Sequence, residues 1–126
     1  MKVEFVAEGG PDCPLIRLYA FDQSEVLRLK DLVIALAVGA KAKIFLHEQP
    51  WIHPVDGCSL ELSLGRRDQG VKQVGPSRFE CVLTTEKWAD VAFLLEPFCA
   101  EEHPKGYQWL DESGKISLLI SQKGSW

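Results

Sequence analysis

With 126 residues, 46% of them apolar and 25% charged, the chain is sized for one domain with its own core, which excludes wholesale disorder. The net charge of −4 argues against nucleic acid as a partner: phosphates recruit Lys and Arg, and the one adjacent basic pair, Arg66-Arg67, is followed at once by Asp68. The longest apolar run, 32–38, is far short of the ~20 residues a membrane-spanning helix needs, and Glu4 and Glu8 interrupt any leader-like segment, so a cytoplasmic location without membrane contact is expected.

Residues 3–6 read as a short strand ended by the turn cluster Gly9-Gly10-Pro11-Asp12. Residues 15–21 are apolar on both faces apart from Arg17, which predicts a central strand covered on each side. Asp22 followed three residues later by Glu25 has the spacing of a capping box. The helix it opens, over 23–38, carries Val26, Leu29, Val33 and Leu36 on one stripe, with Arg28, Lys30 and Asp31 toward solvent. Its last two turns are apolar nearly all round, which predicts a deeply buried far end, and Gly39 supplies the stop.

Residues 42–47 read as a strand and 48–57, with Pro50, Pro54 and Gly57, as a loop. In 58–64, Cys58, Leu60, Leu62 and Leu64 alternate with Ser59, Glu61 and Ser63, the pattern of an antiparallel strand with one face wet. Residues 65–76 show no apolar periodicity and read as a long connection. A strand over 78–83 follows, then Thr84 or Thr85 caps a helix over 85–96. That helix has the inward stripe Trp88, Val91 and Leu95, flanked by Phe93 and Leu94, and ends at Pro97. Strands over 107–110 and 115–121 are joined by the polar turn Asp111-Glu112-Ser113-Gly114.

The expected fold is a single α+β domain over 1–126, in the order β-β-α-β-β-β-α-β-β. It would be a mainly antiparallel sheet of about six to seven strands with two helices on one face. Strand–helix–strand occurs twice, over 15–47 and 78–110, with a hairpin-like strand before each copy at 3–6 and 59–64. An elaborated ferredoxin-like core or a duplicated half would contain such units.

The four cysteines, Cys13, Cys58, Cys81 and Cys99, form no Cys-x-x-Cys pair and are expected to be reduced; Cys58 and Cys81 read as small core residues. The densest set of potential metal ligands is His47, Glu48, His53, Asp56 and Cys58, though their spacing matches no standard site. The same loop holds Trp51 and Ile52, and a Trp also ends the given sequence at Trp126. Aromatics in such positions either fold back on the core or meet a partner. Weaker candidates are the turn 66–70 as an anion contact, the carboxylate pairs Glu101-Glu102 and Asp111-Glu112 as acid–base groups, and Cys99 with His103 as a nucleophile–base pair.

The expected function is that of a non-enzymatic interaction module, without a cofactor, that binds another protein or a second copy of itself. Trp51, Ile52, His53 and Trp126 would make the contact. The alternative is a small-molecule-binding or metal-assisted hydrolytic domain near the 47–58 loop, with His47, His53, Asp56 and Cys58 as its ligands.

Overall fold

A computed structural model describes residues 1–100 and 106–126. The elements in chain order are β1 (Lys2–Val6), β2 (Leu15–Tyr19), α1 (Gln23–Ala37), β3 (Lys43–Phe45), β4 (His53–Pro54), β5 (Ser59–Leu64), β6 (Gly70–Gly75), β7 (Arg78–Leu83), α2 (Thr85–Leu95), β8 (Tyr107–Asp111) and β9 (Ser117–Ser121). The domain is α+β and mostly sheet. Its strands form two mixed sheets rather than the single, mainly antiparallel one expected. A five-stranded sheet runs β4-β1-β2-β9-β8 and a four-stranded one β3-β5-β7-β6. One core joins the inward faces of both sheets to the stripes of both helices, and the Phe5 and Phe79 rings meet across it at 4.6 Å.

The near-repeat in the sequence corresponds to a real repetition of pairing. The first half is β1-β2-α1-β3-β5, with the two-residue β4 inserted, and the second is β6-β7-α2-β8-β9. β1 pairs antiparallel with β2, β2 parallel with β9, and β9 antiparallel with β8. Likewise β6 pairs antiparallel with β7, β7 parallel with β5, and β5 antiparallel with β3. Each sheet therefore takes the first hairpin of one half and the last two strands of the other. The halves are interlaced, not side by side.

Both helices begin where the sequence places them. Asp22 accepts from the Glu25 backbone at 2.9 Å while the Glu25 side chain accepts from the Asp22 backbone at 3.0 Å, completing the capping box. The hydrogen bond from the Glu25 backbone holds the Asp22 carboxyl below its usual value. Thr84 caps α2 through the Lys87 backbone, and Asp68 in turn accepts from both the backbone and hydroxyl of Thr84 at 2.9 Å. The turn around Arg66-Arg67 is thus anchored as part of a helix start. Val26, Leu29, Val33 and Leu36 of α1 are buried, and Trp88, Val91, Leu95 and Phe98 occupy the corresponding positions in the second half at a constant spacing.

Three expectations need correction. Residues 65–76 contain β6, the true first strand of the second half, whereas the strand at 59–64 closes the first. Its two valines, Val71 and Val74, are three residues apart and so on opposite faces, one buried and one exposed, with polar Lys72 and Gln73 between them, so the strand carries no period-2 signal. The alternation in β5 does not mark a purely antiparallel strand, because β5 pairs parallel with β7. Alternation reports how wet the two faces are, not the direction of a neighbour. The far end of α1 is not deeply buried, since Ile34 is 38% exposed and Val38 is 70% exposed.

β2 is covered on both sides as expected, with Leu15 and Ile16 both fully buried. The C-terminal residues lie across one of those faces: Arg17 donates to the Gly124 carbonyl at 2.7 Å, and Ser121 to that of Ser125 at 2.7 Å.

Candidate interaction surface

The helices run antiparallel against each other. Gln23 near the start of α1 donates to the Cys99 carbonyl beyond the end of α2 at 2.7 Å, and Lys30, a turn or two further on, pairs with Glu96. That bond to Glu96 raises the Lys30 ammonium above its usual value. On the side away from the core, α1 exposes Leu27, Ile34 and Val38, which fall on one stripe at helical spacing. α2 exposes Phe93, at 76% the most open large apolar side chain among the described residues.

The repetition shows that the fold does not demand these residues. In the second half the positions equivalent to Leu27, Ile34 and Val38 hold Ala89 on α2, Glu96 in the 3-10 turn that follows it and Ala100 beyond that turn, all exposed, and the α1 position equivalent to Phe93 holds Asp31. Within the two helices, the pairs Leu27/Ala89 and Asp31/Phe93 thus show one backbone environment accepting a large apolar side chain in one half and a small or charged one in the other. Acidic residues rim the patch: Asp31 interrupts the α1 stripe, and Glu86 and Asp90 lie two turns and one turn before Phe93. Arg28 is the one exposed cation on the two helices, since Lys30 is taken up by Glu96 and Lys87 is half-buried.

The residues singled out from the sequence are placed differently. Ile52 is in the core and Trp51 packs against it, its carbonyl accepting from the Met1 nitrogen at 3.1 Å. The loop that carries them is pinned again by His53 donating to the Met1 carbonyl at 2.9 Å, which makes β4. His53 itself is exposed. Trp126 is half-buried in a cleft of about 530 Å³ with Gly9, Pro11, Asp12 and Arg17. Arg17 is fully occupied there, paired with Glu4 and lying 4.3 Å over the Tyr19 ring. Burial, followed by the Glu4 charge, raises the Tyr19 phenol.

The metal candidates are not assembled. Among the described residues, no three His, Cys, Asp or Glu side chains are grouped to hold an ion. His47 turns one ring nitrogen, Nδ1, onto the Leu60 backbone at 3.1 Å; Asp56 is exposed in a left-handed turn at φ 53; Cys58 is buried. His47 and Glu48 do line a recess of about 190 Å³ with Glu61 and Arg78, which is below the roughly 300–1,000 Å³ usual for small-molecule pockets. A larger cleft of about 830 Å³, lined by Gln69, Lys72, Ser113 and Lys115, follows the seam between the sheets. The candidates Glu101-Glu102 and His103 lie outside the described residues. Asp111 is buried and holds Ser113 through both its backbone and its hydroxyl, a turn-forming role.

All four cysteines are free thiols. Burial pushes Cys58 up to about 11 and Cys81 well above its usual value, and it raises Cys99 too. Titrating the native protein with a thiol reagent at pH 8 should therefore modify Cys13 first and Cys99 more slowly. Cys58 and Cys81 should react only after denaturant is added; their rapid reaction in the native state would contradict this packing.

The helical patch was missed because the apolar residues at the end of α1 satisfy a burial pattern and an exposed contact pattern equally well. The equivalent positions in α2 are the signal that separates the two. Among the described residues, no helix is long and apolar enough to cross a membrane. No protein-family model, no curated protein and no solved structure matches this chain.

Proposed function

We propose that this protein is an interaction module that binds another protein through the exposed face of the α1–α2 pair. The observation that carries the reading is Phe93, a large aromatic held open on a rigid helix while its counterpart Asp31 shows that the fold needs no aromatic there. Rigid exposed aromatics are typical anchors of binding energy because little conformational entropy is lost when they are buried. A different protein suits the face better than a second copy. Apposing two such faces would bring Asp31, Glu86 and Asp90 against themselves with only Arg28 to offset them.

The test is photo-crosslinking from a reactive analogue placed at Ile34, with one at Val74 as the control, followed by affinity measurements on the captured protein. Phe93→Ala should weaken that affinity about 30-fold or more, the equivalent of about 2 kcal/mol for an anchor residue. Its own unfolding free energy should move by no more than about 0.5 kcal/mol, as for other surface substitutions. An unchanged affinity would remove the reading. Trp51→Ala, by contrast, should lower stability and leave association intact, since Trp51 packs on the core.

A further inference from the structure

We infer that the element docking on this face is a cationic amphipathic helix; the inference rests on the interaction reading above and specifies its partner. The shape of the patch argues for a helix. Leu27, Ile34 and Val38 extend along three turns of α1, about 16 Å at the helical rise, and Phe93 stands on the antiparallel neighbour. A third helix laid along such a pair presents its own i, i+3, i+4 and i+7 side chains to them, as ridges meet grooves. A partner strand would need free backbone donors and acceptors, and α1 and α2 use theirs internally along this face.

The charge argues for a cation. Asp31 lies within the apolar stripe, while Glu86 and Asp90 run on from Phe93 along α2, so carboxylates border the patch on both helices. None of these three has an ion-pair partner among the described residues, whereas Glu96 already holds Lys30. Lys or Arg on the flanks of an amphipathic helix would meet these carboxylates as its apolar side covers Phe93. Such rim pairs steer the encounter and fix orientation more than they add affinity, so binding should depend on salt chiefly through the on-rate.

The experiment uses the full chain and three synthetic helical peptides of about 18 residues, long enough to span the patch. All carry the same Leu stripe at helical spacing, with Lys, Glu or Ser on the flanks. The Lys peptide should bind and become helical, and its affinity should fall about tenfold between low and high salt as screening removes the rim attraction. The Glu peptide should not bind. Asp31→Asn/Glu86→Gln/Asp90→Asn should cut the Lys peptide's on-rate about tenfold, while Glu48→Gln/Glu61→Gln, in a recess to which neither helix contributes, leaves it unchanged. Phe93→Ala should speed its dissociation.

If the Ser peptide binds as well as the Lys peptide and the triple variant changes nothing, while Phe93→Ala still abolishes binding, the cationic partner is overturned and the contact face stands. If Lys and Leu residues alternating at strand spacing bind as tightly as the helical design, the helical partner is overturned. If Phe93→Ala leaves binding of the Lys peptide unaffected, both this inference and the interaction reading fail.

Discussion

Trp88→Ala is expected to remove about 3–5 kcal/mol of stability, the usual range for deleting a buried Trp, and so to unfold most or all of a domain whose total is about 5–15 kcal/mol. Trp88 is fully buried and is the largest such side chain. Its indole fills the space between α2 and the second sheet, and its Nε1 donates to the Ser63 carbonyl at 3.0 Å. Truncation leaves a cavity in a close-packed core whose helix and strands are fixed by their own hydrogen bonds, so relaxation is limited. It also leaves the Ser63 carbonyl without this donor, beside a Ser63 hydroxyl that already lacks a partner among the described residues. Trp88→Phe separates the two losses: it retains most of the packed volume and loses the hydrogen bond. Urea denaturation should therefore place Phe between Trp and Ala. Equal midpoints for Ala and wild type would mean the indole is not packed as described.

Trp88 also marks what the sequence makes legible. Helix α2 could be read because a threonine cap, an apolar stripe and a proline stop all agree on one register, and α1 because a capping box precedes four stripe residues in phase. Local signals with 3.6 periodicity survive whatever the chain later pairs with. The sheets are another matter. Val71 and Val74 in β6 stand three residues apart and so fall on opposite faces, with polar Lys72 and Gln73 between them, and such a strand shows no apolar alternation to read. That β5 would lie beside β7, or β2 beside β9, depends on partners distant in sequence. The interlacing of the halves was therefore hidden, although the repetition of elements was visible.

The contact face shows a different limit. The run Leu32–Val38 suggests a buried helix end because apolar periodicity cannot distinguish a side that meets its own core from one left for a partner. Leu36 is buried and Val38 is 70% exposed, two residues apart. For Trp51 and Ile52 the sequence leaves packing on the core and contact with a partner both open, because the hydrogen bonds that fold their loop onto β1 come from Met1 and His53, whose pairing is tertiary. What identifies the face is the comparison of α1 with α2 at equivalent positions, and that comparison requires the fold.

The second large effect is expected at the seam between the sheets, in the strand the sequence concealed. Gly70 has φ +73, and a Cβ there would lie 2.4 Å from the Gly114 nitrogen and 2.9 Å from Asp111 Oδ2. Gly114 is confined too, though less tightly, with the Gln69 and Val71 carbonyls 3.0 Å from where its Cβ would be. The two glycines let the turn after β8 press against the start of β6, and just beyond them Val71 and Ile116 form the bridge that links the two sheets. Gly70→Ala must either adopt a left-handed conformation costing about 1–2 kcal/mol or displace backbone that cannot give way, for a further 1–3 kcal/mol or so. A total near 3 kcal/mol should appear as a lowered denaturation midpoint. Hydrogen exchange should locate the damage, with faster exchange in β6, β8 and β9 than in α1. The helical contact face, which does not touch the seam, should keep its partner affinity under conditions where the variant is folded. A Gly70→Ala protein with an unchanged midpoint would show that the sheets are not joined this closely, whereas one that loses affinity while still folded would show that seam and contact face are coupled.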